Sequence, residues 1–222
     1  MGEKHQSQEP SSESTKDDSS ARERLMDAAI RLFAEHGLEG TSTRDIAKAT
    51  DLNISLISYY FGGKEGLYKT VIDEYAARLR VESDKLLSSV DLESLDRDTF
   101  CQTMHTLIHR MIPMKYESRT MSALLQREMM SGLPFAKDVF ENVFGQILEK
   151  IVSIYRAGQK KGFIRKEIHP YILFFSMIHT TETYLQMNQC QTQVQNKILK
   201  LPQEMPAYAE QIYLIFVEGA LA

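Results

Sequence analysis

From Ala21 to Glu35, apolar side chains return every three or four residues. Leu25, Ala28, Ala29, Leu32 and Phe33 share one face, and Arg22, Glu23, Asp27 and Arg31 lie off it. That period predicts a helix with one buried stripe. Gly37 follows as a stop, because glycine takes the left-handed conformation that ends helices. Ser42-Thr43-Arg44-Asp45 fits a capping box, with Ser42 as N-cap and Asp45 reaching back to it. A second helix runs through Ile46 and Ala47 to about Ala49, residues Thr50 to Asn53 turn the chain, and a third helix spans Ile54 to Tyr60. Leu52, Leu56 or Ile57, and Phe61 can pack onto Ile46 and Phe33. Three short helices joined this tightly must share one small core, which is the helix-turn-helix arrangement.

Gly62 and Gly63 break the pattern, and Lys64-Glu65 open a helix predicted to reach Leu87. Further helices are expected near 97–112, 118–131, 136–160, 168–188 and 205–219. Pro113, Gly132-Leu133-Pro134, Gly162 and Pro170 mark boundaries. Gln189 to Gln203 is polar and poorly periodic, and no helix is assigned to it. No series of alternating strands occurs, so the expected fold class is all-α: an N-terminal three-helix head followed by a larger helical domain.

Charge changes the picture only once it is placed along the chain. The formal net charge of -4 is unpromising for a nucleic-acid binder, but residues 1–20 contribute -3 of it. With so little to bury, that acidic segment is expected to be a disordered tail. The remainder divides into 21–63 as the three-helix head and 64–222 as the larger helical domain. Cys101 and Cys190 make no disulfide framework. No run approaches the apolar length of a membrane span, and the N-terminus lacks a basic-then-apolar signal. A cytoplasmic protein without a membrane partner is expected.

A helix laid in the major groove needs small or polar residues toward the bases and apolar ones toward its own domain. The third helix offers Asn53, Ser55, Ser58 and Tyr59 outward. Thr43 sits in the first turn of the second helix, where free N–H groups and a hydroxyl converge. Lys64, in the first turn of the fourth, is misplaced for the helix dipole, and a nearby phosphate would resolve the conflict. Tyr60 has a ring to anchor and a hydroxyl to reach the backbone. Each has a plainer reading: Ser42 caps without function, Tyr60 is a half-buried aromatic, and Arg44 is a solvated surface residue.

Ala28-Ala29 to Phe33, Gly37, Thr41 to Ala47, and Tyr59-Tyr60-Phe61-Gly62-Gly63-Lys64-Glu65-Gly66-Leu67-Tyr68 together resemble the N-terminal signature of the TetR family of bacterial transcriptional regulators. The resemblance covers about residues 22 to 69. It implies that Thr43, Tyr60 and Lys64 contact phosphates, while Arg44, Ser55 and Tyr59 lie near base edges. It also implies helices enclosing an effector cavity and a homodimer made by the last two helices. The chain departs from the family where Ser55 and Ser58 replace the usual glycine and tyrosine, and at Gly63. The resulting expectation is a dimeric repressor on a near-palindromic operator of double-stranded DNA, released by a small, largely apolar effector, with activation or dual regulation as the alternative.

Six methionines between Met104 and Met130 crowd the central helices near Phe135, Phe140, Phe144 and Tyr155. Such surfaces re-pack easily, as a ligand pocket requires, although irregular core filling explains them as well. Candidate effector contacts are His105, His109, Tyr116, Glu128 and Phe144. Candidate dimer residues are Phe175, Ile178, Tyr184, Ile212 and Phe216. Cys101, His105 and His109 stand at i, i+4 and i+8. That span, about 12 Å along a helix axis, is too long for all three to bind one ion. Two of them could, with a third ligand from another helix. No metal or cofactor is expected, and the chain lacks the GxSxG, HExxH, P-loop and GxGxxG patterns of an enzyme.

Overall fold

The computed structural model describes residues 12–189, 202 and 204–222. Cys190, most of the polar segment from Gln189 to Gln203, and residues 1–11 of the expected tail lie outside them. In order, the helices are α1 (Ser12–Gly40), α2 (Thr43–Thr50), α3 (Ser55–Phe61), α4 (Lys64–Leu87), α5 (Arg97–Glu117), α6 (Arg119–Met130), α7 (Lys137–Val139), α8 (Gly145–Lys161), α9 (Pro170–Gln189) and α10 (Met205–Phe216). A π-helical turn, Phe140–Phe144, joins α7 to α8. The fold is all-α. Its extended pairing, among the described residues, is a single bridge between Ile164 and Leu221.

Two boundaries differ from the sequence expectation. α1 begins at Ser12, inside the segment read as tail. Once the buried turn around Leu25 has paid the nucleation cost, each residue added toward the N-terminus gains a backbone hydrogen bond. Pro113 does not end α5, which continues to Glu117. A proline removes one N–H donor, but Ile112 is fully buried and Lys115 pairs with Glu182 of α9. Tertiary contacts on both sides of the proline therefore hold the extra turn.

The chain forms two compact units. The first contains residues up to Tyr75 together with Ala123–Ala136, and the second contains Ala76–Ser122 and Lys137–Ala222. The first unit is the head together with α4 as far as Tyr75, the C-terminal part of α6 and the segment that follows it to Ala136. Its interior holds Leu25, Ala28, Ala29, Phe33, Ile46, Ile57, Leu67 and Tyr68, each 2% exposed or less. Phe33 and Phe135 both meet the Tyr68 ring edge-on, with centroids 5.0 and 5.4 Å away. The core of the second unit gathers Phe100, Met104, Ile108 and Ile112 from α5, Ile151 and Tyr155 from α8, and Tyr208 and Ile212 from α10.

Candidate nucleic-acid interface

Local chemistry fixes the two helices that present this surface. Ser42 Oγ accepts the Asp45 N–H at 3.2 Å, and Asp45 Oδ2 accepts the Ser42 N–H at 3.0 Å, so the capping box is complete. The Ser42 hydroxyl also donates to Asp45 at 2.6 Å, and these bonds hold the Asp45 carboxyl below the usual range. α2 ends at Asp51, which takes the left-handed conformation with φ 54°. Asn53 Oδ1 then accepts the N–H of Ser55 at 2.9 Å and its hydroxyl at 2.8 Å, which organises the start of α3. Thr50 is held by its own helix and by Arg24, which donates to its carbonyl. These bonds fix the conformation of the turn.

α3 buries Ile57 and Phe61 and turns Ser55, Ser58 and Tyr59 outward. Tyr59 is 76% exposed, a large aromatic surface that its own domain does not use. Tyr60 is half-buried, edge-on to both Tyr59 and Phe61 at 5.0 and 6.0 Å. Arg44 and Lys48 are exposed on α2, and Thr43 is partly exposed in its first turn. Arg22 stacks 5.3 Å from the Phe61 ring and pairs with Glu74 at 2.6 Å, tying α1, α3 and α4 together.

Lys64 has a partner of its own. Its ammonium donates to the Leu38 carbonyl at 2.7 Å, at the chain segment after the α1 break. The misplacement at the N-terminus of α4 is thus offset within the head by the carbonyl end of another segment. At the break itself, Gly37 adopts φ 75° and ψ 174°, a conformation that is essentially glycine's alone. Gly66 is required for a different reason: a Cβ there would stand 1.8 Å from the Phe61 carbonyl oxygen.

The unit is closed by α6. Glu128, 3% exposed, accepts the Tyr68 phenol at 2.7 Å through one oxygen. Through the other it accepts the Phe135 and Ala136 N–H groups at 3.1 and 3.2 Å. Arg127 donates to the carbonyls of Ala34 and Glu35 at 3.3 and 3.4 Å. Nothing in the sequence signalled the Tyr68–Glu128 bond, which joins residues 60 apart.

The remaining residues singled out in the sequence scatter. Glu128 is an internal tie of the head. Tyr116 is exposed under Arg119, whose guanidinium stands 5.2 Å from its ring. Phe144 lies against Phe140 in the π turn at 4.8 Å. Only His105 and His109 come together, stacked 3.9 Å apart, and they meet Glu210 of α10, a partner that sequence reasoning missed. Of the dimer candidates, Phe175 is exposed and Ile178 and Phe216 partly so. Ile212 is in the chain's own core, and Tyr184 stacks on Tyr208 at 3.5 Å, so these two have almost no surface left to lose in any pairing.

Residues 25–71 match the model of bacterial regulatory proteins of the tetR family. Over that segment the head is similar to those of TetR-family regulators. A probable HTH-type transcriptional regulator of Bacillus subtilis, YttP, is 32% identical over 117 residues, 50% of this chain and 56% of its own length. The HTH-type transcriptional repressor NicS of Pseudomonas putida is 24% identical over 163 residues, 71% of this chain and 74% of NicS. Among solved structures, the ketosteroid transcriptional regulator KstR2 of Mycobacterium tuberculosis superposes with a TM-score of 0.71 at 17% identity. That alignment covers 91% of this chain and 95% of KstR2, a likeness of fold. No described helix is long and apolar enough to cross a membrane.

Proposed function

We propose that this chain is a dimeric, effector-responsive repressor of the TetR family that binds a near-palindromic DNA operator through α3. The observation that carries the reading is the outward side of α3: Ser55, Ser58 and a largely exposed Tyr59 on a head whose turn and caps are fixed by hydrogen bonds. Small hydroxyls and an aromatic edge suit base contacts, and Thr43, Arg44, Tyr60 and Lys64 flank them for phosphates. Lys64 would exchange or share its Leu38 carbonyl for a phosphate oxygen. The apolar residues left exposed on the last two helices, Ile172 and Phe175 of α9 and Leu214 and Ile215 of α10, support pairing of two copies.

The effector would be small and largely apolar, taken up among the helices of the second unit. Support comes from its core, where methionines 104 and 111 pack among Phe100, Leu107 and Ile108. α4 runs from the head unit into the second, so an effector that favours one setting of α4 would shift the DNA-competent population. A loss of ~3 kcal/mol in operator affinity lowers occupancy by roughly 150-fold at low protein concentration.

The test is selection of bound duplexes from a random pool with the full chain, followed by a screen for compounds that release the selected site. A two-fold-related consensus is expected. Arg44→Ala should change the preferred bases, whereas Lys64→Ala should weaken all sequences and flatten the salt dependence. Failure to enrich any sequence above the starting pool rejects the reading.

A further inference from the structure

α5 and α10 pack together within the second unit, and their contact sets two of the expected effector contacts, His105 and His109, beside a carboxylate. His105 and His109 lie one turn apart on α5. Their Nε2 atoms each stand 3.5 Å from Oε2 of Glu210 on α10. One ligand atom from each of the three residues falls within 4.8 Å of the others. His105 also meets the edge of Tyr213 at 5.0 Å. Cys101, the neighbour at the preceding turn, faces the Tyr213 hydroxyl instead.

The distances separate two explanations. A histidine N–H bonded to a carboxylate sits about 2.7–2.9 Å away, so at 3.5 Å neither imidazole is well hydrogen-bonded to Glu210. An ion held tetrahedrally, with bonds of about 2.0–2.1 Å, needs its ligand atoms about 3.4 Å apart. An octahedral ion with the same bonds needs about 2.9 Å. The two nitrogen–oxygen distances therefore suit a tetrahedral ion. His109 Nδ1 lies 3.0 Å from the His105 carbonyl oxygen. A proton on that nitrogen donates to the carbonyl and leaves Nε2 with a lone pair toward Glu210, the second-shell arrangement of a metal-bound histidine. The rings stack 20° from parallel, so their lone pairs run side by side and must converge by rotation about χ2, a soft torsion. The ligands are half-exposed, which leaves an entry path and a fourth position for water.

We propose that His105, His109 and Glu210 bind one tetrahedral first-row divalent ion, Zn²⁺ by preference, and that the ion clips α5 to α10. Two imidazoles, one carboxylate and an open position form a donor set that suits zinc or cobalt. The site stands apart from the DNA reading, because the two helices bind an ion or do not whatever the head holds.

The test titrates Co²⁺ alone into the full-length, chelator-stripped protein and follows the intense visible absorption of tetrahedral cobalt, with Zn²⁺ as competitor. One ion per chain is expected, displaced by zinc. Losing an outer-shell partner already costs metal sites about 10–100-fold, so Glu210→Gln and His109→Ala should each weaken binding by about tenfold or more and remove the tetrahedral spectrum. His179→Ala, at an exposed histidine of α9 outside the cluster, should change nothing. Zinc should raise the melting temperature of the parent and not of Glu210→Gln, which alters only a half-exposed carboxylate and keeps the test valid if the histidine variant misfolds. Absence of stoichiometric binding, a pale octahedral spectrum, or unchanged affinity in Glu210→Gln overturns the proposal.

Discussion

The buried Glu128 carboxylate makes a quantitative claim about what closes the head unit. It accepts three donors: the Tyr68 phenol and the N–H groups of Phe135 and Ala136. Glu128→Ala strands all three in a buried site, and each stranded donor costs about 1–3 kcal/mol, so a total of at least ~3 kcal/mol is expected. Tyr68→Phe removes one bond to a charged acceptor while the ring keeps its packing, for about 1.5–3 kcal/mol. Glu128→Gln should be milder than Glu128→Ala. Its amide oxygen can still accept the two N–H groups, whereas its NH₂ cannot accept the Tyr68 hydroxyl proton, so one donor is stranded instead of three. Urea unfolding at one fixed protein concentration gives the order of the three variants. Amide exchange at Phe135 and Ala136 localises the effect, with protection lost in Glu128→Ala and kept in Glu128→Gln. If Glu128→Ala shifts stability by less than ~0.5 kcal/mol, the carboxylate is not the acceptor described and the account of the closure fails.

Gly66→Ala inverts a general rule: alanine in a helix normally gains about 1 kcal/mol over glycine, yet here its Cβ would meet the Phe61 carbonyl at 1.8 Å. A net loss of about 1–3 kcal/mol in thermal or urea unfolding is expected, and a gain would refute the close approach. Burial raises the phenol pKa of Tyr208 and Tyr213 to about 12, and burial raises those of Tyr68 and Tyr155 further, with Glu128 adding to the effect at Tyr68. Because the folded values exceed the unfolded value near 10, this stability is fully present below pH ~10 and is lost as pH rises above it. Ultraviolet titration should show these four ionising only above pH ~10, together with alkaline unfolding, and their ionisation at the ordinary phenol value in the folded protein would contradict it. Phe175→Asp together with Ile215→Asp should yield monomers by sedimentation without lowering helix content. Pairing unaffected by both charges would place the interface elsewhere.

The helices of the head were legible because their causes are local. Ser42 and Asp45 lie three residues apart, Gly37 and Gly62 end helices through their own dihedral freedom, and the stripe from Leu25 to Phe33 repeats with the helical turn. The outward side of α3 followed from the same periodicity, since burying Ile57 and Phe61 leaves Ser55, Ser58 and Tyr59 no other direction. What the sequence could not decide depends on residues far apart in the chain. Glu128 was read as an effector contact and is a structural acceptor for Tyr68. Tyr184 and Ile212 were read as interface residues and are buried within the chain itself. Pro113 was read as a stop and is carried through by the burial of Ile112 and the Lys115–Glu182 pair. Glu210 gave no signal at all, because a lone carboxylate gains meaning only when packing sets it beside two histidines on another helix. Periodicity and capping are written within a few residues, but the partner of a buried charge is chosen by the fold.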